Sequence, residues 1–354
     1  MSKSKSAERL RIWSFDSFVN LQSIQEALSL EYKQEIAFLN EVDVVNEIEQ
    51  EDKWLYHQWL PMGNQQEIKG YDFDLNGKNI PYIFAKGCYE VGFGKKKSIV
   101  DNQLLPRKAR VFNHLSQCLF FEQEGKVYCI IQVSDSQERK IRNTLFGQKN
   151  TDLKKVWGDI ELTKVYPYVL EEQFFYWLLS KCGQVFVYSD EGVEDKEINL
   201  LDVSQLSLKS RPYVYDSNCK GTNLLSESVA ALSTLANNDQ VHLAGIKVKI
   251  GNAQFSFAFD SDCVIHVNTD DTWFVDEKGK TSYDKNPLYF IFHIYLVIFP
   301  TFLKAYQADW SKDKWTMRSY VAQKKEWTLK TIKLLCDENG VTIDELRELM
   351  APVS

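Results

Sequence analysis

Leu288 to Leu303 (LYFIFHIYLVIFPTFL) is a run of sixteen residues, apolar apart from His293 and Thr301. Any fold this chain adopts must take that run out of water. As a helix it extends about 24 Å at about 1.5 Å per residue, short of the ~30 Å hydrocarbon core of a bilayer. Pro300 sits near its end. The expectation is a helix buried in a core or a subunit interface, with no membrane insertion. The N-terminal stretch MSKSKSAERLRIW is charged and lacks an apolar segment, so no secretory signal is expected, and residues 1–7 read as a loose tail.

The remaining patterns are those of a folded chain. With 44% hydrophobic residues and 21 Phe, 17 Tyr and 9 Trp in 354 residues, intrinsic disorder is excluded. Residues 15–62 read as helical, because Phe18, Leu21, Ile24 and Leu28 fall three or four apart. Extended runs follow from Tyr71. Leu119 to Phe121, a turn at Gln123 to Gly125 and Val127 to Val133 read as a hairpin. Residues 135–182 return to helix, with Glu171 to Lys181 densely apolar. Val185–Tyr188, Gly245–Ile250, Gln254–Phe259 and Cys263–Val267 read as strands, the last three as an antiparallel meander, with a helix at Ser226 to Leu235 before it. Three helices close the chain, the last opened by the capping box Thr342-x-x-Glu345. The fold class expected is α+β: helical N-terminal and C-terminal segments around two antiparallel β regions. The division expected is an N-terminal domain with basic loops at 1–185 and a meander-plus-helix domain at 186–354.

Motifs for catalysis are weak. In Gly87 to Ser98 (GCYEVGFGKKKS) Phe93 and Gly94 stand between Gly92 and the lysines, two residues too many for a phosphate-binding P-loop, so this reads as a flexible basic loop. Glu124-Gly125-Lys126 has a nuclease-like spacing but lies in a turn, and Glu161 and Lys164 would point to opposite strand faces. Asp260, Asp262, His266, Asp270 and Asp271 form the one dense carboxylate and imidazole group. It reads as turn chemistry, with a divergent metal-dependent nuclease using Asp260, Asp262 or His266 as the enzymatic alternative. His114 and Cys118 lack any catalytic context. No catalytic residue, resident metal or cofactor is assigned. Seven scattered cysteines without a CxxC pair read as free thiols of a cytoplasmic protein.

Charge is the best guide to function. Residues 14–85 carry 13 acidic and 4 basic residues, whereas 86–155 carry 14 basic and 7 acidic. Lys95, Lys96, Lys97, Arg107, Lys108 and Arg110 fall within sixteen residues that hold one acid, Asp101. Arg139, Lys140 and Arg142 follow the hairpin, with Lys149, Lys154 and Lys155 beyond. Cations on loops and helix ends are what a phosphate backbone requires, and the nine residues of the first two clusters are the expected nucleic-acid-binding set. The alternative is a face that complements the acidic blocks or an acidic partner, as in an interaction scaffold. A third basic tract, Lys304 to Lys333, interleaves with Trp310, Trp315, Tyr320 and Trp327, which read as a packing stripe or as base-stacking rings. Self-association or an obligate partner protein is expected from the aromatic excess and the alternating charge. A Lys-, Asn- and Ile-rich chain without household motifs gives one expected setting: an accessory or effector of bacterial anti-phage defence.

Overall fold

The computed structural model describes residues 7–40, 48–63, 65–148, 151–191, 194–210, 216–237 and 239–350. Most of the expected tail and Lys149 lie outside them. The expected α+β plan, with helical termini around two β regions, is overturned. Strand makes up 38% of the chain and exceeds helix. Among the described residues sixteen strands lie in long antiparallel ladders. The chain divides into two compact units, Arg9–Val165 and Met1–Glu8 with Tyr166–Ser354.

The error began at the N-terminus. The helical spacing from Phe18 is genuine only over α1 (Leu21–Leu28), where the Asn20 side-chain oxygen accepts from the Ser23 amide at 3.0 Å. Before it runs β1 (Ala7–Phe15), and after it β2 (Tyr32–Glu35) and β3 (Trp54–Pro61). In β3 the buried residues are His57 and Trp59, a two-residue period that the longer helical reading had absorbed.

The unit Arg9–Val165 continues with β4 (Gly70–Leu75), β5 (Lys78–Gly92), α2 (Lys95–Ser98), a small ribbon of β6 (Ile99–Val100) and β7 (Gln103–Leu104), and α3 (Arg107–Arg110). Then come β8 (Val111–Gln123), β9 (Lys126–Gln132), α4 (Asp135–Thr144), α5 (Thr151–Trp157) and β10 (Ile160–Glu161). The sheet order is β1-β9-β8-β5-β3-β2, with β10 on β1 and β4 on β5. The β8–β9 hairpin turns where expected, with Glu124 and Gly125 both at positive φ, as a two-residue turn between right-twisted strands requires. Trp13, Phe15, Trp59, Phe120, Phe146 and Trp157 pack into one core. Phe146 meets Trp157 edge-on at 4.7 Å and Trp59 at 5.3 Å. Each such ring contributes about 2–3 kcal/mol by leaving water.

The other unit holds α6 (Glu172–Ser180), β11 (Val185–Tyr188), β12 (Lys196–Lys209), β13 (Asp216–Lys220), α7 (Leu224–Glu227) and α8 (Val229–Ala236). The expected meander is β14 (Gln240–Ile250), β15 (Ala253–Asp260) and β16 (Ile265–Asn268), followed by β17 (Trp273–Asp276) and β18 (Gly279–Ser282). The apolar run forms α9 (Pro287–Phe292), a π-helical turn at His293–Ile298 and α10 (Phe299–Ser311). Pro300 has no amide to give the Leu296 carbonyl, and the wider π turn lies just ahead of it. By length and composition Pro287–Ser311 is apolar enough to cross a membrane, yet 67% of its most apolar window is buried inside the protein. Its Phe290 and Phe299 lie 5.7 Å from Phe255 and 4.9 Å from Phe259 of β15. The chain closes with α11 (Met317–Asn339) and α12 (Ile343–Met350), the latter opened by the Thr342–Glu345 capping box.

Candidate nucleic-acid interface

In the β5–β8 ladder Tyr89 stands opposite His114 and Val91 opposite Phe112. Side chains alternate along a strand, so these four share one face. Phe93, two residues beyond Val91, meets Phe112 edge-on at 4.8 Å, and His114 stacks on Tyr89 at 5.3 Å. Past Gly92 the sheet ends and the chain turns into α2. The result is an open cleft of about 800 Å³ floored by Val91, Phe93, Phe112 and His114. Lys95, Lys96, Lys97 and Lys140 line it, and among the described residues no carboxylate does.

The lysine turn is held in place, which corrects its reading as a flexible loop. Ser98 is buried, and its hydroxyl donates to the Phe93 carbonyl at 3.0 Å. The Phe93 amide donates to the Arg110 carbonyl at 2.8 Å, and Leu105 donates to the Ser98 carbonyl at 2.8 Å. The intervening ribbon turns at Asp101 and Asn102, both at positive φ, a conformation these residue types tolerate.

Two of the expected phosphate ligands are spent on this anchorage. Arg110 is only 2% exposed. Its guanidinium donates to the carbonyls of Asp52 at 3.0 Å and Leu105 at 3.2 Å. Arg107 pairs with Glu90 at 2.5 Å, donates to the Trp54 carbonyl at 2.8 Å and covers the Tyr56 ring. Glu90 in turn accepts from the Tyr56 amide at 2.8 Å. Both arginines therefore clamp α3 to the start of β3. Lys108 between them is exposed but does not line the cleft.

Helix α4 brings the fourth lysine. Ile141 and Leu145 are buried against the sheet, and Gly87 of β5 makes room: a β-carbon there would fall 2.3 Å from a Leu145 methyl. The helix is fixed from its other side by Glu138, which accepts from Arg11 at 3.1 Å and Arg9 at 3.4 Å. With those positions committed, Lys140 reaches the cleft, while exposed Arg139 and half-buried Arg142 lie outside its lining. Of the nine expected residues, Lys95, Lys96, Lys97 and Lys140 are thus brought together. Sequence reasoning missed Phe93 and Phe112, and weighed His114 only beside Cys118. The signal for them was the alternation Tyr89-x-Val91-x-Phe93 facing Phe112-x-His114.

Of the carboxylate and imidazole group, Asp260 and Asp271 are engaged in turns. The Asp260 carboxylate accepts from the amides of Asp262 at 3.0 Å and Val264 at 2.9 Å, closing the β15–β16 turn. Asp271 accepts from the Asn268 side chain at 3.0 Å. Among the described residues no three His, Cys, Asp or Glu side chains are grouped to hold a metal ion. Trp315, Tyr320 and Trp327 are buried, so only Trp310 of that tract shows a substantial surface. Comparison of the chain with protein-family models, with curated proteins and with solved structures finds no match in any of the three.

Proposed function

We propose that the protein binds nucleic acid through its phosphate backbone, with Lys95, Lys96, Lys97 and Lys140 as the contacting cations. The observation that supports this reading is the convergence of four lysines, from two separate elements, on one aromatic-floored cleft. A surface of that kind favours polyanions and gives affinity that falls with salt. The seven cysteines are all free, in keeping with a reducing, cytoplasmic setting, and an accessory or effector role in anti-phage defence is the setting proposed from composition. The test is fluorescence anisotropy with labelled oligonucleotides at low salt. The reading predicts binding with little sequence preference, lost when Lys95, Lys96 and Lys97 are reversed to Glu. Absence of binding to any nucleic acid would refute it.

A second reading is self-association, and α11 supports it. Its inner face buries Tyr320, Trp327 and Thr331. The adjoining flank leaves Met317, Val321, Leu329, Ile332 and Leu335 exposed, a stripe wide enough to pack on another helix. A second copy of the chain, laid antiparallel, is the occupant that fits, because Arg318 at one end would face Asp337 and Glu338 at the other. Light scattering should then give a dimer mass that Val321→Glu with Leu329→Glu reduces to a monomer. A monomer at micromolar concentration without these changes overturns it.

A further inference from the structure

We propose that the cleft takes an unpaired nucleotide of a single strand, its base stacked against Phe93 or Phe112 and its flanking phosphates held by the lysines. The inference rests on the nucleic-acid reading above and names the ligand class of the same site.

The floor carries the argument. Phosphate contacts alone need cations on a convex or flat surface, and an apolar floor adds nothing to them. Here the cations instead share a cleft with two phenylalanines that are 37% and 41% exposed. Exposed Phe side chains placed side by side in a concavity are costly unless a ligand covers them. A base has a flat π-face that stacks favourably on an aromatic ring. In a duplex that face is already covered by neighbouring base pairs, so only an unstacked base can use the floor. The cleft volume of about 800 Å³ falls within the roughly 300–1,000 Å³ of small-ligand sites, room for a nucleotide but not for a double helix to enter.

The cation nearest the ring supports the same arrangement. Lys97 holds its ammonium 5.5 Å from the centre of the Phe93 ring, at the outer limit of a cation–π contact. A base entering against that ring would replace a weak contact with a stack, and its phosphate would give the displaced ammonium a stronger partner. Lys95 and Lys96 on the same turn, and Lys140 from α4, are then placed for the phosphates on either side. His114, stacked on Tyr89, lines the same space.

The experiment compares single-stranded DNA, single-stranded RNA, the corresponding duplexes and a free mononucleotide, using oligonucleotides that carry one 2-aminopurine. The proposal predicts that at least one single strand binds ten-fold or more tighter than its duplex, with quenching of the 2-aminopurine as its base stacks, and that the mononucleotide competes only weakly. Phe93→Leu with Phe112→Leu keeps an apolar floor without the rings, and should weaken single-strand binding about ten-fold while leaving weak duplex binding unchanged. The DNA and RNA arms identify the strand. Equal affinity for single strand and duplex, or full binding by the double Leu variant, overturns the inference while the backbone reading stands, provided the Lys→Glu reversals still abolish binding. Tight binding of the mononucleotide alone overturns the strand assignment. No binding to any nucleic acid, with capture of an acidic polypeptide such as poly-glutamate instead, overturns both.

Discussion

The ring of Phe93 meets that of Phe112 edge-on, with centroids 4.8 Å apart, and both rings remain open to water at the end of the β5–β8 ladder. Their packing role is small for their size. Phe93→Ala and Phe112→Ala should each lower unfolding free energy by about 1 kcal/mol or less, whereas Phe120→Ala, deep in the same unit and fully buried, should cost about 3–5 kcal/mol. Urea unfolding monitored by circular dichroism measures the difference. A core-sized loss at Phe93 or Phe112 would assign these rings to the fold.

Arg110 belongs to the fold and Lys96 to the surface, although both come from the same basic tract. Arg110→Met removes the donor to the Leu105 carbonyl and one of two donors to the Asp52 carbonyl, the other being Arg107 at 3.4 Å. A polar group left without its partner on burial costs about 1–3 kcal/mol, so the variant should lose about 1–3 kcal/mol of stability. Reversal of Lys95, Lys96 and Lys97 to Glu should change the melting temperature by only a few degrees, since exposed charges contribute little to folding. Differential scanning calorimetry of the two variants separates the roles.

Acid should destabilise both units through their buried histidines. Burial lowers the pKa of His57 from its ordinary 6.5 to about 4 against the opposing pull of Glu90, and that of His293 likewise to about 4. Neutral His293 donates Nδ1–H to the Tyr289 carbonyl at 2.8 Å. Each histidine takes up a proton in the unfolded chain before it does so in the native one. Their stabilising contribution is therefore complete above about pH 6.5, declines as pH falls, and is lost by about pH 4, with a loss on the order of 3 kcal/mol for each at most. His57→Phe, which retains a ring against Tyr32, should flatten this decline. Denaturant midpoints between pH 7 and pH 4 record it, and a midpoint independent of pH over that range would contradict the assignment.

The sequence disclosed its local elements better than its plan. The β8–β9 hairpin was legible because Glu124-Gly125 interrupts two apolar runs, and the capping box of α12 because Thr342 and Glu345 have the required spacing. The N-terminal strands were not, since the helical period of α1 masked the weaker alternation of His57 and Trp59 beyond it. At the site, the lysines were legible as charge, but charge does not distinguish a ligand from an anchor. Arg107 and Arg110 bond to the backbone of residues more than fifty positions away, and no local pattern announces such partners. Phe93 and Phe112 were hidden for a similar reason: eighteen residues of sequence separate them, and only the register of two strands makes them neighbours.

The most direct test of the central claim is the salt dependence of oligonucleotide binding, measured for the unaltered protein and for the variant with Lys95, Lys96 and Lys97 reversed to Glu. Each phosphate neutralised contributes about −0.7 to the slope of log K against log salt on a single strand and about −0.9 on a duplex. If these lysines hold the backbone, the reversal should flatten the slope by roughly 2–3 units, and adding Lys140→Glu should flatten it further. A slope unchanged by the reversals, with binding intact, would contradict the claim that this cleft engages the phosphates.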